Sequence, residues 1–158
     1  MQLASTPEKI KEKVAPVLAQ GKAIGLRLSV ICRETNAEAV NYAEELLKTT
    51  EEIQATQKEF VSKSDSQSIQ RNHELAKDDW PSPNLWMGAA KTFGPTGIAL
   101  VGSYKEVAEK IMEYYEIGVT HFIFSGWPKQ DEMIRFGENV IPIVRQLELN
   151  VLTLSEND

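Results

Sequence analysis

The sequence lacks the features that mark several classes of protein. A single cysteine, Cys32, among 158 residues excludes an internal disulfide framework and a zinc site built from cysteines. No stretch approaches the roughly 20 continuous apolar residues of a membrane span, and the N-terminus lacks the basic and apolar regions of a secretory signal. Basic residues number 17 against 23 acidic ones, and the net charge of −6 argues against a nucleic-acid partner. We therefore expect an acidic, soluble, cytoplasmic protein that binds neither a membrane nor a nucleic acid.

The sequence does contain a regular alternation of helix and strand patterns. Strands are predicted at 24–32, 98–101 and 121–124, and helices at 6–20, 35–47, 103–117 and 129–149, the last with a kink at Pro142. Strands that alternate with helices of this length indicate parallel βαβ units and an α/β fold. Three strands are too few for a closed eight-stranded barrel. We expect one domain over 1–150 and a short, frayed tail at 151–158.

Local signals predict where several helices begin and end. Thr6 and Pro7 are typical of a helix start, whereas Pro16 is expected to kink or shorten the same helix. Capping boxes are predicted at two further helix starts, Thr35 with Glu38 and Ser103 with Glu106, and Gly118 is the predicted stop of the second of these helices.

A polar insertion interrupts the pattern between 49 and 79. Its apolar residues are scattered. The segment 62–68 consists only of serine, lysine, aspartate and glutamine, and it contains no apolar residue. Such a segment has little apolar surface to offset the entropy of ordering it, so we expect a mobile loop at 62–68.

The strand at 24–32 carries the sharpest functional signal. Its even positions are apolar, and the alternation places Arg27 and Ser29 together on the opposite face. An arginine in the middle of such a strand either points to solvent or lies in an interior where it needs an anion. Both interpretations remain open at this point.

Other candidate sites are weaker. Gly102–Ser103 and Ser125–Gly126 each lie between a strand end and a helix start, where free backbone N–H groups favour phosphate, although a capped helix after a tight turn is the favoured explanation. Trp127 follows a strand end and serves either as a packing anchor or as part of a site. Cys32 is expected to be a packed thiol, neither histidine lies in a nucleophile motif, and no cluster has metal-ligand spacing.

Four motifs resemble the C-terminal part of the alkanesulfonate monooxygenases, which belong to the bacterial luciferase-like, reduced-flavin-dependent monooxygenases. They are Pro83-Asn84-Leu85-Trp86, Gly97-Ile98-Ala99-Leu100-Val101-Gly102, Phe122-Ile123-Phe124-Ser125-Gly126-Trp127-Pro128 and Arg135-Phe136-Gly137-Glu138. The strand Leu26 to Cys32, followed by Arg33-Glu34-Thr35, matches the same family in register. The resemblance covers nearly the whole chain, but only the second half of the family's fold.

The resemblance implies a C-terminal part, about three βα units, of a luciferase-like (β/α)8 TIM barrel. It implies strands six, seven and eight with their helices, preceded by helix five, and an insertion that closes over the active site. The implied reaction uses reduced FMN from an NAD(P)H-dependent FMN reductase, and O2, to convert a sulfonate into an aldehyde and sulfite. The implied assembly is a homo-oligomer.

The resemblance also supplies candidate site residues. Arg27 matches a family arginine and is the candidate anion contact, whereas Ser29 and Trp127 stand where the family has histidine and tyrosine, and Phe93 stands where it has arginine. We take Arg27, Ser29 and Trp127 as candidate catalytic residues and Ser125 and Gly126 as candidate cofactor contacts, with no metal. The departures leave two alternatives: a flavin monooxygenase of another small organosulfur compound, or a half-barrel that serves only for association.

Overall fold

The computed structural model describes residues 2–48, 78–90 and 97–155. The strands in these ranges are β1 (Gln2–Leu3), β2 (Gly25–Arg33), β3 (Leu85–Trp86), β4 (Ala99–Ser103) and β5 (His121–Gly126). The helices are α1 (Pro7–Leu18), α2 (Asn36–Lys48), α3 (Tyr104–Glu116), α4 (Lys129–Asn139) and α5 (Ile141–Ser155). The predicted α/β class is confirmed. Residues 49–77 of the predicted insertion, which include the predicted loop at 62–68, and Phe93 lie outside the described residues.

The nine-residue strand β2 is the centre of the sheet. It pairs in parallel with β1 through Leu26 and Arg27, with β4 from Ser29 to Arg33, and with β5 from Gly25 to Val30. Because Leu26 and Ser29 each have a partner on two strands, β5 must lie at the edge of β2 opposite β1 and β4. The short β3 runs antiparallel along the outer edge of β4.

The helices cover both faces of this sheet. The even face of β2 (Leu26, Leu28, Val30, Cys32) belongs to a buried cluster with residues of α1, α3 and α4, against which α5 packs. The odd face (Arg27, Ser29, Ile31) continues into Ala99 and Val101 of β4, and α2 packs there through Ala39 and Ala43. Leu26 and Leu28 therefore face helices, and α2 covers the end of the odd face near Ile31.

The strand order differs from that of a simple barrel, because β2 lies between β4 and β5, and the placement of α2 explains this difference. In a barrel, all helices lie on one face and successive strands advance in one direction, which would place β4 between β2 and β5. Crossovers between parallel strands are right-handed, so helices on opposite faces carry the chain in opposite directions across the sheet. Here α2 on the odd face leads to β4 at one edge of β2, and α3 on the even face leads back to β5 at the other.

The predicted helix ends are mostly confirmed. Both capping boxes form: the Glu38 backbone N–H donates to Thr35 Oγ1 over 3.3 Å, and the Ser103 N–H donates to Glu106 over 2.8 Å. Gly118 follows α3 with a φ of +100°, which favours glycine, and a Cβ there would lie 2.4 Å from Leu18.

Three predictions about helix ends need correction. Thr6 occupies the N-cap of α1 without a side-chain capping bond. The final helix is two helices that meet at Val140, and Pro142 is the second residue of α5, where a missing N–H costs little. The predicted tail begins as helix, because α5 continues to Ser155.

Candidate functional site

The odd face brings three of the predicted residues together. In the parallel register of β2 and β5, Ser29 lies opposite Ser125, and Arg27 lies opposite Ile123. Paired residues on neighbouring strands point to the same face, and the strands lie about 4.8 Å apart. Arg27 is exposed, Ser125 is half-buried and Ser29 is buried, with 5% of its surface accessible. The site is thus a strip that opens toward solvent at Arg27.

Arg27 has no internal counter-charge in the parts of the chain that the structure describes. The ion pairs found there join other residues, including Arg33 and Arg135 with Glu132. Ile123, its neighbour across the strands, is 52% exposed and apolar. A guanidinium in this setting can bind an external anion without first breaking an internal ion pair.

Trp127 lies at the other end of the same strip, whereas Gly126 pairs with Val30 and therefore faces the opposite side of the sheet. Trp127 is half-buried and packs against the cluster that contains Ile31 and Val101, as a packing anchor does. Gly126 is buried, and a Cβ on it would lie 2.4 Å from the Cβ of Glu132. The missing side chain of Gly126 therefore makes room for Glu132.

Glu132 lies at the centre of a buried hydrogen-bond network that the sequence did not predict. Its side chain is fully buried and accepts hydrogen bonds from the Cys32 backbone N–H (2.6 Å), from Arg33 (2.8 Å) and from Arg135 (2.9 Å). Arg33 also lies 4.0 Å over the ring of Tyr42. The sequence shows Glu132 only as one of two acidic residues in the first turn of a helix, which is a common feature.

The position of Glu132 follows from the lengths of the strands. β5 ends at Gly126, opposite Val30, so no strand reaches the N–H of Cys32 at that edge of β2. The carboxylate takes the place of the missing strand. In doubly wound sheets, neighbouring strands whose helices lie on opposite faces form a ligand crevice at their carboxyl ends. Between β2 and β5, Glu132 occupies that crevice.

The electrostatics around Cys32 make its thiol inert. Burial raises the pKa of Cys32 to about 12, and the negative charge of Glu132 adds to the effect. A thiol needs its thiolate form to act as a nucleophile. The expectation of a packed rather than a catalytic thiol agrees with this environment.

The two predicted phosphate cradles differ in structure. At the start of α3, Glu106 accepts from the Ser103 backbone N–H (2.8 Å), from Ser103 Oγ (2.6 Å) and from Asn36 (3.1 Å). Burial raises the pKa of Glu106, but these hydrogen bonds outweigh it and the pKa is lowered. A carboxylate of the chain itself thus fills the position that a phosphate would take at Gly102–Ser103.

The start of α4 differs from that of α3, because no side chain caps it. Its N-cap is Pro128, which makes no side-chain capping bond, and its first residue is Lys129. Ser125 precedes this turn on β5. Free N–H groups at a helix start attract an anion, although Asp131 in the same turn works against it. Of the two cradles, this one remains a candidate phosphate contact.

The described residues contain no group of three or more histidine, cysteine, aspartate or glutamate side chains placed to hold a metal ion. None of their helices combines the length and the apolar character that crossing a membrane requires. A cleft of about 380 Å³ lies away from Arg27, Ser29 and Ser125, and its lining contains four glutamates and one lysine, so its net negative charge is wrong for a sulfonate or a phosphate.

Comparison with known proteins gives two findings. Residues 2–121 match the family model described as luciferase-like monooxygenase. The structure is similar to that of riboflavin lyase, crystallised with modified FMN and its substrate riboflavin, with a TM-score of 0.64 and 21% sequence identity. That match covers 92% of this chain and 38% of riboflavin lyase. At this identity, the likeness concerns the fold alone.

Proposed function

The chain belongs to the luciferase-like monooxygenase family, and from this premise we propose that it provides the substrate-anion site of an alkanesulfonate monooxygenase. The balanced reaction is R–CH2–SO3⁻ + FMNH2 + O2 → R–CHO + SO3²⁻ + FMN + H2O + H⁺. One oxygen atom enters the aldehyde and the other leaves as water, while the C–S bond breaks and releases sulfite. Reduced FMN supplies both electrons needed to activate O2.

The observation that carries this proposal is the state of Arg27. It is exposed in the middle of a strand and unpaired among the described residues, and Ser29 and Ser125 lie on the same face of the sheet. A sulfonate is an anion at all physiological pH values, and a guanidinium can donate two parallel hydrogen bonds to its oxygens. We assign Arg27 to the sulfonate and the two serines to its orientation.

The described residues fit the anionic part of FMN and not its ring. Lys129, the uncapped amides of α4 and Ser125 are suited to a phosphate. Ser29 is buried and α2 packs over Ile31 at the end of the same face, so we place no contact with the three fused rings on this strip. The chain spans 38% of the riboflavin lyase that it resembles, and we place the ring contacts in the remaining part of the family's fold.

The same assignment implies two partners. An NAD(P)H-dependent FMN reductase would supply the reduced flavin, and the enzyme would act as a homo-oligomer. Ser29 and Trp127 replace a histidine and a tyrosine of the resembled monooxygenases, which favours a second candidate, a flavin monooxygenase of another small organosulfur compound. The third alternative, a half-barrel used only for association, predicts no ligand at Arg27.

A titration followed by NMR tests the proposal on the purified chain. The ligands are 1-pentanesulfonate, the uncharged 1-pentanol, and riboflavin. We expect saturable shifts at Arg27, Ser29 and Ser125 with the sulfonate alone. Replacing Arg27→Ala should weaken this binding by roughly ten- to a hundredfold, because a hydrogen bond to a charged group contributes about 1.5–3 kcal/mol.

Arg145→Ala is the matched control, since Arg145 is an exposed arginine on α5. Its affinity for the sulfonate should equal that of the unsubstituted chain. Equal binding by the Arg27→Ala chain would refute the anion site, and shifts with riboflavin alone would favour a flavin substrate. An absence of shifts with every ligand would favour the association alternative.

A further inference from the structure

Two arginines converge on one carboxylate oxygen at the carboxyl end of β2. The Nη1 atoms of Arg33 and Arg135 lie 2.8 and 2.9 Å from Oε2 of Glu132, and the other carboxylate oxygen accepts from the Cys32 N–H. Within the described ranges, no second carboxylate forms an ion pair with either arginine. Two positive charges therefore share one negative charge, and the arginine pair (Arg33 with Arg135) keeps one positive charge without a counter-charge.

The arginine pair also keeps hydrogen-bond donors that reach solvent. A guanidinium has five N–H donors. Arg33 uses only Nη1, which donates to Glu132 and, over 2.6 Å, to the carbonyl of Cys32, and Arg135 likewise donates through Nη1. The Nε and Nη2 atoms of both arginines have no partner in the part of the chain that the structure describes. They are accessible, because neither arginine is among the buried polar side chains that lack a partner there.

The two guanidinium groups are held in place before any ligand arrives. Arg33 lies 4.0 Å over the ring of Tyr42, and only 16% of its side chain is accessible. Arg135 is 32% accessible and is held by Glu132, one turn earlier on α4. Ordering flexible side chains is a large part of the cost of binding, so arginines that are already held bind an anion with a smaller loss of entropy.

The arginine pair lies where a sheet of this kind binds ligands. β2 and β5 are neighbours whose following helices, α2 and α4, cover opposite faces, and such strands form a crevice at their carboxyl ends. Glu132 is fully buried in this crevice, whereas the two arginines that donate to it are partly accessible. The arginines therefore form the mouth of the crevice, and Glu132 forms its base.

The neighbours of the pair limit the charge of a ligand. Burial raises the pKa of Tyr104, the charges of Arg135 and Arg33 act against this rise, and the charge of Glu34 adds to it. The phenol of Tyr104 is therefore close to both arginines and to Glu34, which is exposed. A carboxylate beside the pair disfavours a divalent anion more than a monovalent one.

We propose that Arg33 and Arg135 bind the carboxylate of a small organic acid at the mouth of the crevice between β2 and β5. A guanidinium donates parallel hydrogen bonds to a carboxylate, and one carboxylate supplies the single negative charge that balances the pair. The bound carboxylate repeats on the solvent side of the arginines the contacts that Glu132 makes on the buried side. A divalent tetrahedral anion would exceed the charge of the pair.

This mouth is separate from the strip that holds Arg27. Arg33 lies six residues further along β2, which is about 20 Å at the rise of a strand, and α2 covers the odd face near Ile31 between them. A small molecule bound at one of these places does not touch the other. The inference is therefore independent of the proposed sulfonate site.

NMR observation of the arginine Nε–H groups tests the proposal on the purified chain. The probes are sodium acetate and sodium sulfate, with sodium chloride added to keep the ionic strength constant. We expect saturable shifts of the Arg33 and Arg135 signals with acetate, and weaker binding of sulfate. Arg135→Gln should weaken the binding of acetate at least about tenfold, because it removes a charged donor and leaves Arg33 and Glu132 as a neutral pair.

Arg145→Gln is the matched control, because it removes the same charge from an exposed position on α5. It should bind acetate as the unsubstituted chain does, whereas Arg135→Lys, which keeps the charge without the planar fork, should bind it more weakly. Arginine signals that do not move with acetate would overturn the proposal in the unsubstituted chain, whatever a substitution does to folding. Equal binding by Arg135→Gln, or tighter binding of sulfate than of acetate, would also overturn it.

Discussion

Glu132 is a single residue on which three parts of the molecule depend. Its carboxylate holds the last part of β2 through Cys32, and it forms ion pairs with both Arg33 and Arg135. Replacing Glu132→Ala would leave a buried N–H and two arginines without their acceptor. Removing one member of a buried ion pair typically costs about 3–5 kcal/mol, and we expect a loss of that size in the free energy of unfolding, measured in urea.

Glu138→Ala is the control for this substitution. Glu138 lies on the same helix but is exposed, and changes at such surface positions usually stay within about 0.5 kcal/mol. A Glu132→Ala chain as stable as the control would mean that the arginines find other partners at no cost.

The two most informative residues differ in how far the sequence reveals them. Arg27 stands out in the sequence because strand alternation is local. Its exposed position agrees with the interpretation that it points to solvent and not with an interior position. Glu132 does not stand out, because its role depends on β5 ending three residues before β2 in register, and on a contact with Cys32 across 100 positions. No local pattern encodes that distance.

At the scale of elements, the N-terminus of α3 links two helices through one carboxylate. Glu106 caps α3 and accepts from Asn36 at the start of α2. Although burial raises its pKa, hydrogen bonding lowers it below the value in the unfolded chain, so the contribution of Glu106 to stability is present above pH 4.5 and is lost as pH falls through the folded pKa.

We therefore expect Glu106→Gln to be less stable than the unsubstituted chain at pH 7 and to differ less from it at pH 3, as measured by urea unfolding at both values. Ser103→Ala should cost about 1 kcal/mol at pH 7, the usual effect of losing an N-cap. Glu109→Gln, an exposed position on the same helix, serves as the control. An equal deficit for Glu106→Gln at both pH values would show that its charge is unimportant.

The capping boxes and the stop at Gly118 could be predicted because each involves residues a few positions apart. The strand order could not. It depends on which face α2 covers, and Ala39 and Ala43 carry no information that distinguishes one apolar face of the sheet from the other. The break between α4 and α5 was similarly hidden, since Pro142 is compatible both with a kink and with a helix start.

For the whole molecule, the extent of the family's fold determines what the chain can do alone. It spans 38% of the riboflavin lyase that it resembles, and α2 covers the odd face of the sheet near Ile31. We expect the isolated chain to bind reduced FMN weakly under anaerobic conditions and to release no sulfite from 1-pentanesulfonate with an FMN reductase and NADPH. Sulfite production above the level of the reductase alone would show that this chain holds a complete active site.

The central position of β2 has a consequence for synthesis of the chain. Its edge toward β5 is covered only when distant residues arrive: Thr120 bonds the carbonyl of Ile24, 96 positions earlier. A ribosome that adds about 5–20 residues per second needs roughly 5–20 s for such a stretch. During that interval the backbone groups at the edge of β2 that later faces β5 have no partner from β5. Slow translation prolongs their exposure to neighbouring nascent chains.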